Sequence, residues 1–318
     1  MSFYMNAQSC KEYADKVIAN VSKAIVGKED AIRKVLITYL AGGHVLLEDV
    51  PGTGKTMLLR AFAKTVGGDF KRIQFTPDLL PSDLTGINFY NPQKSAFEFR
   101  KGPLFAGVVL ADEINRATPR TQSSLLEAME EKQITVDGTT YPLGANFMVM
   151  ATQNPLESYG TFPLPEAQID RFFMRLSLGY MNREQELSVI RRRSTVDIIE
   201  QLETVVTEAE TAEIKAYFPT VTVAEEVAIY LMDLITKTRA QSALAQGVST
   251  RGAIALYKAC QLNACLNGRD YVLPEDIVDM APCVLAHRVV TGGGARKRDA
   301  ENMLQQLISQ IPVPVENA

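Results

Sequence analysis

Residues 48–57, with the sequence EDVPGTGKTM, carry the most specific chemical signal in the chain. The phosphate-binding loop of nucleotide hydrolases follows the pattern G-x-x-x-x-G-K-[ST]; here Gly54, Lys55 and Thr56 close it, but Asp49 stands at its opening position. Glycines let successive backbone amides face an anion, and a helix beginning at Lys55 adds the positive end of its dipole. Because the opening position lies at the loop entrance, away from the phosphates, Asp49 does not remove the signal.

This loop predicts a site for a nucleoside triphosphate and Mg²⁺. Lys55 is expected to reach the β- and γ-phosphates, and the Thr56 hydroxyl is expected to hold Mg²⁺. The residues expected to bind the nucleotide here are Pro51, Gly52, Thr53, Gly54, Lys55, Thr56 and Met57. The alternative is a structural turn that happens to contain Gly-Lys-Thr. An apolar strand before the loop and a helical pattern after it favour the phosphate site.

A pair of acids, Asp112 and Glu113, ends the apolar run GVVLADE at 107–113. Parallel α/β folds bind ligands at the carboxyl ends of their strands, so these two carboxylates are expected beside the loop. Asp112 is expected to help hold Mg²⁺, generally through water, and Glu113 to polarise the attacking water. The alternative is a pair of solvated acids at a strand end. Two matches in the right order along the chain favour the catalytic interpretation.

Three further polar residues are candidates on weaker grounds. Asn154 follows the next apolar run and could orient the lytic water or touch the γ-phosphate, although Asn-Pro is also an ordinary turn signal. Arg171 precedes the last predicted strand, and Arg251 lies near the start of a helix in the second half of the chain. An arginine commonly offsets transition-state charge in phosphoryl transfer. A salt bridge for Arg171 and a solvated helix start for Arg251 remain equally open.

The elements that must position these residues alternate along the first 181 residues. Apolar, β-favouring runs occur at 44–48, 72–75, 107–113, 147–153 and 174–179, with helical patterns between them. Runs that are apolar on both faces are typical of a covered, mainly parallel sheet. The alternation therefore predicts a doubly wound α/β domain. After about residue 181 the strand patterns stop and helical patterns follow, which predicts a smaller, all-helical second domain.

Composition restricts the class of protein. With 46% apolar and 22% charged residues and a net charge of −4, the chain is typical of a globular protein that has no overall attraction to nucleic acid or anionic membranes. No apolar run is long enough to span a bilayer, and the N-terminus lacks the order of a signal peptide. The four cysteines show no metal-binding spacing, which favours buried thiols in a reducing compartment. A cytoplasmic protein is therefore expected.

The order of three strings resembles the MoxR branch of the AAA+ ATPases. The strings are LLEDVPGTGKT, FEFRKGPLFAGVVLADEINRATPRTQSSLLEAMEEKQITVDG and MVMATQNPLESYGTFPLPEAQIDRF. The close match covers roughly residues 25–180, and Ser249-Thr250-Arg251-Gly252 stands where that family has its sensor-2 arginine. Asp49 in place of glycine also occurs within the family, so the unusual loop opening resembles a habit of this branch.

The resemblance implies a fold and its divisions. The expected fold class is α/β: an AAA+ P-loop ATPase core, with a parallel sheet flanked by helices, followed by a C-terminal all-helical lid domain. The expected divisions are an N-terminal helix (1–24), the core (25–181), a linker helix (182–207), the lid (208–311) and a tail (312–318). Within the core, the resemblance implies an insert in helix 2 at about 84–101 and a hairpin before sensor 1 at about 133–147.

The resemblance also implies roles for particular residues. Arg171 would be the finger that reaches a neighbouring subunit's nucleotide, and Arg251 would be sensor 2, which couples the lid to the γ-phosphate. The residues around Val26-Gly27 would lie against the adenine. Arg116 is a candidate for a contact between subunits, for which a local salt bridge is an equally open interpretation.

The implied function is Mg²⁺-dependent ATP hydrolysis by a ring, expected to be a hexamer. It would remodel proteins in a chaperone-like way, maturing or activating a partner complex together with a separate von Willebrand factor A domain protein. Three alternatives stay open: a metal-chelatase-type motor subunit, a nucleotide-binding switch with little turnover, and a nucleic-acid motor. Glu113 argues against the switch, and the acidic net charge disfavours nucleic acid.

Overall fold

The computed structural model describes residues 5–49, 52–153, 160–191, 198–291 and 297–314. Pro51, predicted to bind the nucleotide, and Asn154, predicted to orient the lytic water or touch the γ-phosphate, lie outside the described residues, as does the end of the predicted tail at 315–318. Across the described ranges, each helix is too short or too polar to cross a membrane.

The strands and helices of the described residues are numbered here in chain order. The strands are β1 (Val45–Glu48), β2 (Phe70–Gln74), β3 (Gly86–Asn91), β4 (Ala96–Lys101), β5 (Val108–Asp112), β6 (Gln133–Val136), β7 (Thr139–Pro142), β8 (Met148–Gln153), β9 (Met174–Leu176), β10 (Leu244–Gln246) and β11 (Val290–Thr291). The helices are α1 (Ala7–Ser22), α2 (Glu29–Leu40), α3 (Lys55–Thr65), α4 (Pro81–Thr85), α5 (Pro119–Glu131), α6 (Glu166–Ile169), α7 (Arg183–Arg191), α8 (Glu208–Tyr217), α9 (Glu225–Ala240), α10 (Thr250–Leu266), α11 (Pro274–Leu285) and α12 (Lys297–Ser309).

A five-stranded parallel sheet forms the centre of the core, in the order β2-β5-β8-β1-β9. All five strands overlap the apolar runs from which strands were predicted. Alternate residues of β1 enter different hydrophobic clusters: Val45 and Leu47 pack with α1, α2 and α3, whereas Leu46 packs with α4 and α5. The sheet is therefore buried on both faces, which explains why its strands are continuous apolar runs. The α/β core is confirmed.

The second domain is helical, as predicted, and it shares its hydrophobic cluster with the N-terminal helix. Helix α1 packs against α2 and α3 of the core and against α10 of the lid. The Tyr13 hydroxyl of α1 lies 2.8 Å from Thr211 Oγ1 of α8, and burial raises the pKa of Tyr13 to about 12. The lid also holds an antiparallel pair, β10 with β11, where no strand was predicted. Strands of three and two residues are too short to show an alternating pattern.

Two antiparallel hairpins project from the core and contact each other. Strands β3 and β4 pair within the range predicted as the helix-2 insert, and β6 and β7 pair around the turn Asp137-Gly138. Both turn residues have positive φ angles, 49° and 81°, as tight hairpin turns require. Asn88 Nδ2 donates to Asp137 Oδ2 at 2.7 Å, and the rings of Phe99 and Tyr141 stack at 4.2 Å. The two hairpins are therefore joined to each other by both a hydrogen bond and a stacked pair of rings.

His44 joins three elements at the start of β1. Its side chain is buried; Nδ1 accepts a hydrogen bond from the Val149 amide at 2.9 Å, and Nε2 lies 3.0 Å from the Met129 carbonyl. Because Nδ1 must be an acceptor, the proton sits on Nε2 and the ring is neutral. Burial lowers the pKa of His44 from 6.5 to about 4. The neutral imidazole is therefore the form that the fold requires.

This pKa predicts a loss of stability in mild acid. Between pH 6.5 and 4 the unfolded chain binds a proton at His44 that the folded chain does not, so the free energy of unfolding falls as the pH falls. The full loss is roughly 3 kcal/mol for a pKa displaced this far. In His44→Gln, where the amide can accept and donate in place of the ring, this dependence should be shallower. Urea unfolding of both proteins at pH 7, 5.5 and 4.5 measures it; identical slopes would contradict the assignment.

Candidate functional site

The phosphate loop leads from β1 into α3. Gly52 and Gly54 have φ angles of 85° and 89°, and a Cβ at either position would meet no atom within 4 Å. The backbone angle, rather than lack of space, therefore requires glycine at these positions. Helix α3 begins at Lys55, directly after Gly54, so the positive end of its dipole lies at the loop, where it favours an anion.

A cavity of about 380 Å³ brings the loop together with the predicted acids. It is lined by Gly52, Gly54, Lys55, Thr56, Arg72, Asp112, Glu113 and Thr152. These residues come from the loop, from the middle of β2 and from the carboxyl ends of β5 and β8, which are neighbouring parallel strands. Of the predicted loop residues, Met57 lies in the first turn of α3 and is 40% exposed.

Asp112 is held in place by groups on both neighbouring strands. Arg72 of β2 donates to Asp112 Oδ2 from Nε at 3.1 Å and from Nη2 at 2.6 Å. Thr152 of β8 donates to Oδ1 at 2.6 Å, and its hydroxyl accepts from the Glu113 amide at 2.8 Å. Hydroxyl and carboxylate oxygens are the ligands that Mg²⁺ prefers, so Thr56 and Asp112 form a suitable donor set.

Glu113 directly follows β5 in a left-handed conformation, with φ 57° and ψ 49°. This conformation costs a non-glycine residue free energy and is typical of functional sites. Its carboxylate accepts from Gln74 Nε2 at 2.7 Å and pairs with Arg116 Nε at 3.2 Å, both at Oε2. Arg116 thus makes the local salt bridge that was one of its two interpretations. Glu113 also lines the cavity that contains the phosphate loop.

Asp49, the residue that departs from the usual loop pattern, anchors the chain that follows β9. Its buried carboxylate accepts from Ser177 Oγ at 2.8 Å, from the Leu178 amide at 2.5 Å and from the Gly179 amide at 3.1 Å. Its carbonyl also accepts from Lys55 Nζ at 3.0 Å. Glycine at this position would leave the buried Leu178 amide and the part-buried Gly179 amide without this acceptor. The aspartate therefore has a structural role that a glycine could not supply.

The segment around Val26-Gly27, predicted to lie against adenine, approaches the chain after β9 through Gly27 and Lys28. Gly27 has a φ angle of 67°, and a Cβ there would lie 1.8 Å from Gln185 Nε2 in the first turn of α7. The next residue, Lys28, donates from Nζ to the carbonyls of Leu178 and Tyr180. The segment thus approaches the same chain that Asp49 anchors, beside the loop.

Arg171 and Arg251 do not line the phosphate cavity. They lie together at a second cavity of about 350 Å³, where both pair with Glu130. That cavity is also lined by Gly43 and His44, which precede β1, so it lies at the amino ends of the strands. Even a four-residue parallel strand is roughly 13 Å long. The two arginines therefore lie at the amino ends of the parallel strands, whereas the phosphate loop lies at their carboxyl ends.

Arg72, Gln74, Thr152 and Glu130 are among the residues of these two sites that were not predicted from the sequence. Arg72 and Gln74 alternate on β2, where Gln74 is in register with Asp112 on the adjacent strand. Once β2 is known to lie beside β5, the alternation of Arg72 and Gln74 predicts that both side chains lie near the acids at the end of β5. Glu130 lies in the string EAMEE quoted above, but pairing it with two arginines needs the placement of the lid.

Comparisons with known proteins agree with this geometry. The model of the ATPase family associated with various cellular activities (AAA) matches residues 44–174, and that of the AAA lid domain matches residues 236–311. The chain is 47% identical to the uncharacterized protein YeaC of Bacillus subtilis over 95% of both chains. It is 36% identical to Chaperone MoxR1 of Mycobacterium tuberculosis, over 96% of this chain and 83% of that one.

A solved structure is also similar. The crystal structure of a proposed ATPase from Cytophaga hutchinsonii superposes with a TM-score of 0.88 at 42% sequence identity, covering 97% of this chain and 98% of that one. The parallel sheet, the phosphate loop beside paired acids and the helical second domain define an AAA+ ATPase core with its lid. Within that class, the chain belongs to the MoxR family.

Asp49→Gly restores the usual loop pattern, yet we expect it to destabilise the protein. The carboxylate accepts three hydrogen bonds, two of them from backbone amides that would otherwise lack an acceptor, so the free energy of unfolding should fall by roughly 2–4 kcal/mol. Asp49→Asn, which keeps one acceptor oxygen, should lie between. Urea unfolding of the three proteins measures the difference, and a glycine variant as stable as the wild type would contradict the anchoring role.

Proposed function

We propose that this protein hydrolyses ATP with Mg²⁺ as a ring in which the arginines of one subunit complete the nucleotide site of the next. The observation that carries the proposal is the separation of Arg171 and Arg251 from the phosphate cavity, since the two sites lie at opposite ends of the parallel strands. A subunit cannot apply these two side chains to its own γ-phosphate. A head-to-tail neighbour can, because such an interface joins two different surfaces of the same chain.

Within one subunit, the loop amides and Lys55 would hold the β- and γ-phosphates. Thr56 and Asp112 would hold Mg²⁺, which neutralises developing phosphate charge when it is bound. Glu113 would orient a water and accept its proton as the water attacks. Arg72 and Thr152 keep Asp112 in place for this role, and Gln74 keeps Glu113 beside the cavity.

Protein remodelling is the biological role that we propose for this ATPase. The chain shares most of its length with a relative named as a chaperone, MoxR1. The hairpin pair exposes apolar side chains, with Phe97 75% exposed and Tyr90 52% exposed, a surface suited to contact with another protein. A separate von Willebrand factor A domain protein, a hexameric ring and a cytoplasmic location are parts of the same proposal. A nucleic-acid motor is less well supported, since the net charge of −4 gives the chain no overall attraction to nucleic acid.

The shared site predicts that turnover depends on protein concentration. Specific ATPase activity of the wild type should rise as subunits associate. Glu113→Gln should bind ATP but lose at least about 100-fold in turnover, because a positioned base contributes that much. Arg171→Ala should lose turnover to a similar extent without losing ATP binding. Activity and nucleotide binding measured across protein concentration, with sedimentation in the same buffer, distinguish these effects. Turnover that is flat with concentration and indifferent to Arg171 would contradict the shared site.

Mixing two inactive variants tests the direction of sharing. Lys55→Ala subunits should lack nucleotide but keep the arginines, whereas Arg171→Ala subunits should bind nucleotide but lack the finger. In an equal mixture, about one interface in four pairs an intact nucleotide site with an intact finger, so part of the activity should return. The control replaces the first partner with the double variant Lys55→Ala/Arg171→Ala. If the mixture stays as inactive as this control, the arginine does not act across subunits.

A further inference from the structure

Glu130 connects the two arginines of the second cavity. Its Oε2 lies 3.1 Å from Arg171 Nε, and its Oε1 pairs with Arg251 Nη2. Arg171 belongs to the core and Arg251 to the first turn of α10 in the lid, so one carboxylate bridges the two domains. Each oxygen serves one guanidinium. A phosphoryl group, which also presents several oxygens to arginines, could replace the carboxylate in this arrangement.

The bridge is accessible to an incoming anion. The side chain of Glu130 is 33% exposed, that of Arg171 is 32% exposed and that of Arg251 is 50% exposed. Lys132 and Lys258 line the same cavity, so cationic groups exceed the acids there. Ion pairs at this exposure contribute little free energy, since water and salt screen them. A more highly charged anion can therefore displace the carboxylate at small cost.

The residues around this bridge are held by more buried contacts than the bridge itself. Arg288, with only 2% of its side chain exposed, donates from Nε to Asp170 Oδ1 at 2.7 Å and from Nη2 to the Phe172 carbonyl at 2.7 Å. Ser249 donates to Asp170 Oδ2 at 3.0 Å and also caps the start of α10. The backbone positions of Arg171 and Arg251 are thereby fixed relative to each other. Exchange of the anion between them requires only side-chain movement.

We propose that Glu130 is a positioning residue that makes association between subunits sensitive to the γ-phosphate. This inference rests on the proposed function, in which Arg171 and Arg251 act on a neighbour's nucleotide. While the neighbour holds ADP, the arginines stay paired with Glu130 and contribute little to the interface. When it holds ATP, the γ-phosphate, which carries more charge than a carboxylate, takes over both guanidinium groups. Glu130 thus keeps the two arginines from binding the neighbour's nucleotide when that nucleotide is ADP.

The experiment compares association in ATP and in ADP. All proteins carry Glu113→Gln so that ATP is not consumed, and sedimentation velocity gives the protein concentration of half-association with Mg²⁺ and each nucleotide. The ADP-to-ATP ratio of these concentrations should exceed one when Glu130 is present. In Glu130→Gln, and equally in Glu130→Ala, the ratio should fall by roughly three- to tenfold, mainly through tighter association in ADP. Glu131→Gln, which removes the same charge from the next residue, should leave the ratio unchanged.

The outcomes separate this inference from the function on which it rests. Suppose ATP strengthens association and Arg171→Ala removes this effect of ATP, but the ratio is the same with and without Glu130. The role of Glu130 is then overturned while the shared site stands. Weaker association of the Glu130 variants in both nucleotides would also overturn it, since that result indicates a merely structural contact. If every protein associates equally in ATP and in ADP, and Arg171→Ala does not change association, both the shared site and the role of Glu130 are contradicted.

Discussion

The common direction of the five central strands is the constraint on which the rest of the structure depends. It gathers the phosphate loop, Asp112, Glu113 and Thr152 at one edge of the sheet, because parallel strands end together. It equally places the residues before β1 and β9 at the other edge, beside the paired arginines. Under the proposed function, each subunit binds one nucleotide and supplies its two arginines to the nucleotide of a neighbouring subunit. It does not supply them to its own nucleotide.

Stability and the nucleotide site share residues in this fold. Asp49 fixes the chain after β9 while its carbonyl holds the lysine of the loop, and His44 fixes the opposite end of the same strand, β1. A strand of four residues thus has a buried polar anchor at each end. Such anchors explain how a short strand can hold the phosphate loop in position, although the glycines of the loop do little to restrict its backbone angles.

The parts of the fold and site that could be predicted are those encoded locally. Apolar runs specify the strands, and the loop and paired acids specify their own positions at strand ends. Arg72 and Gln74 escaped prediction because their importance depends on which strand lies beside β5, and Glu130 because its partners come from two domains. The pair β10 and β11 is too short to show a period. The roles of Pro51 and Asn154 stay predictions, since both residues lie outside the described ranges.

Helix α5 has a consequence for how distant surfaces communicate. Glu130 lies in its last turn, and Lys132 alone separates its end from β6, whose hairpin is bonded to the neighbouring insert through Asn88 and Asp137. A thirteen-residue helix is a stiff rod of roughly 20 Å. Under the proposed function, a force on the hairpin pair would therefore be transmitted through the end of this helix to the Glu130 carboxylate. Under the proposed function, a force on the hairpins would then change how Arg171 and Arg251 meet a neighbour's nucleotide.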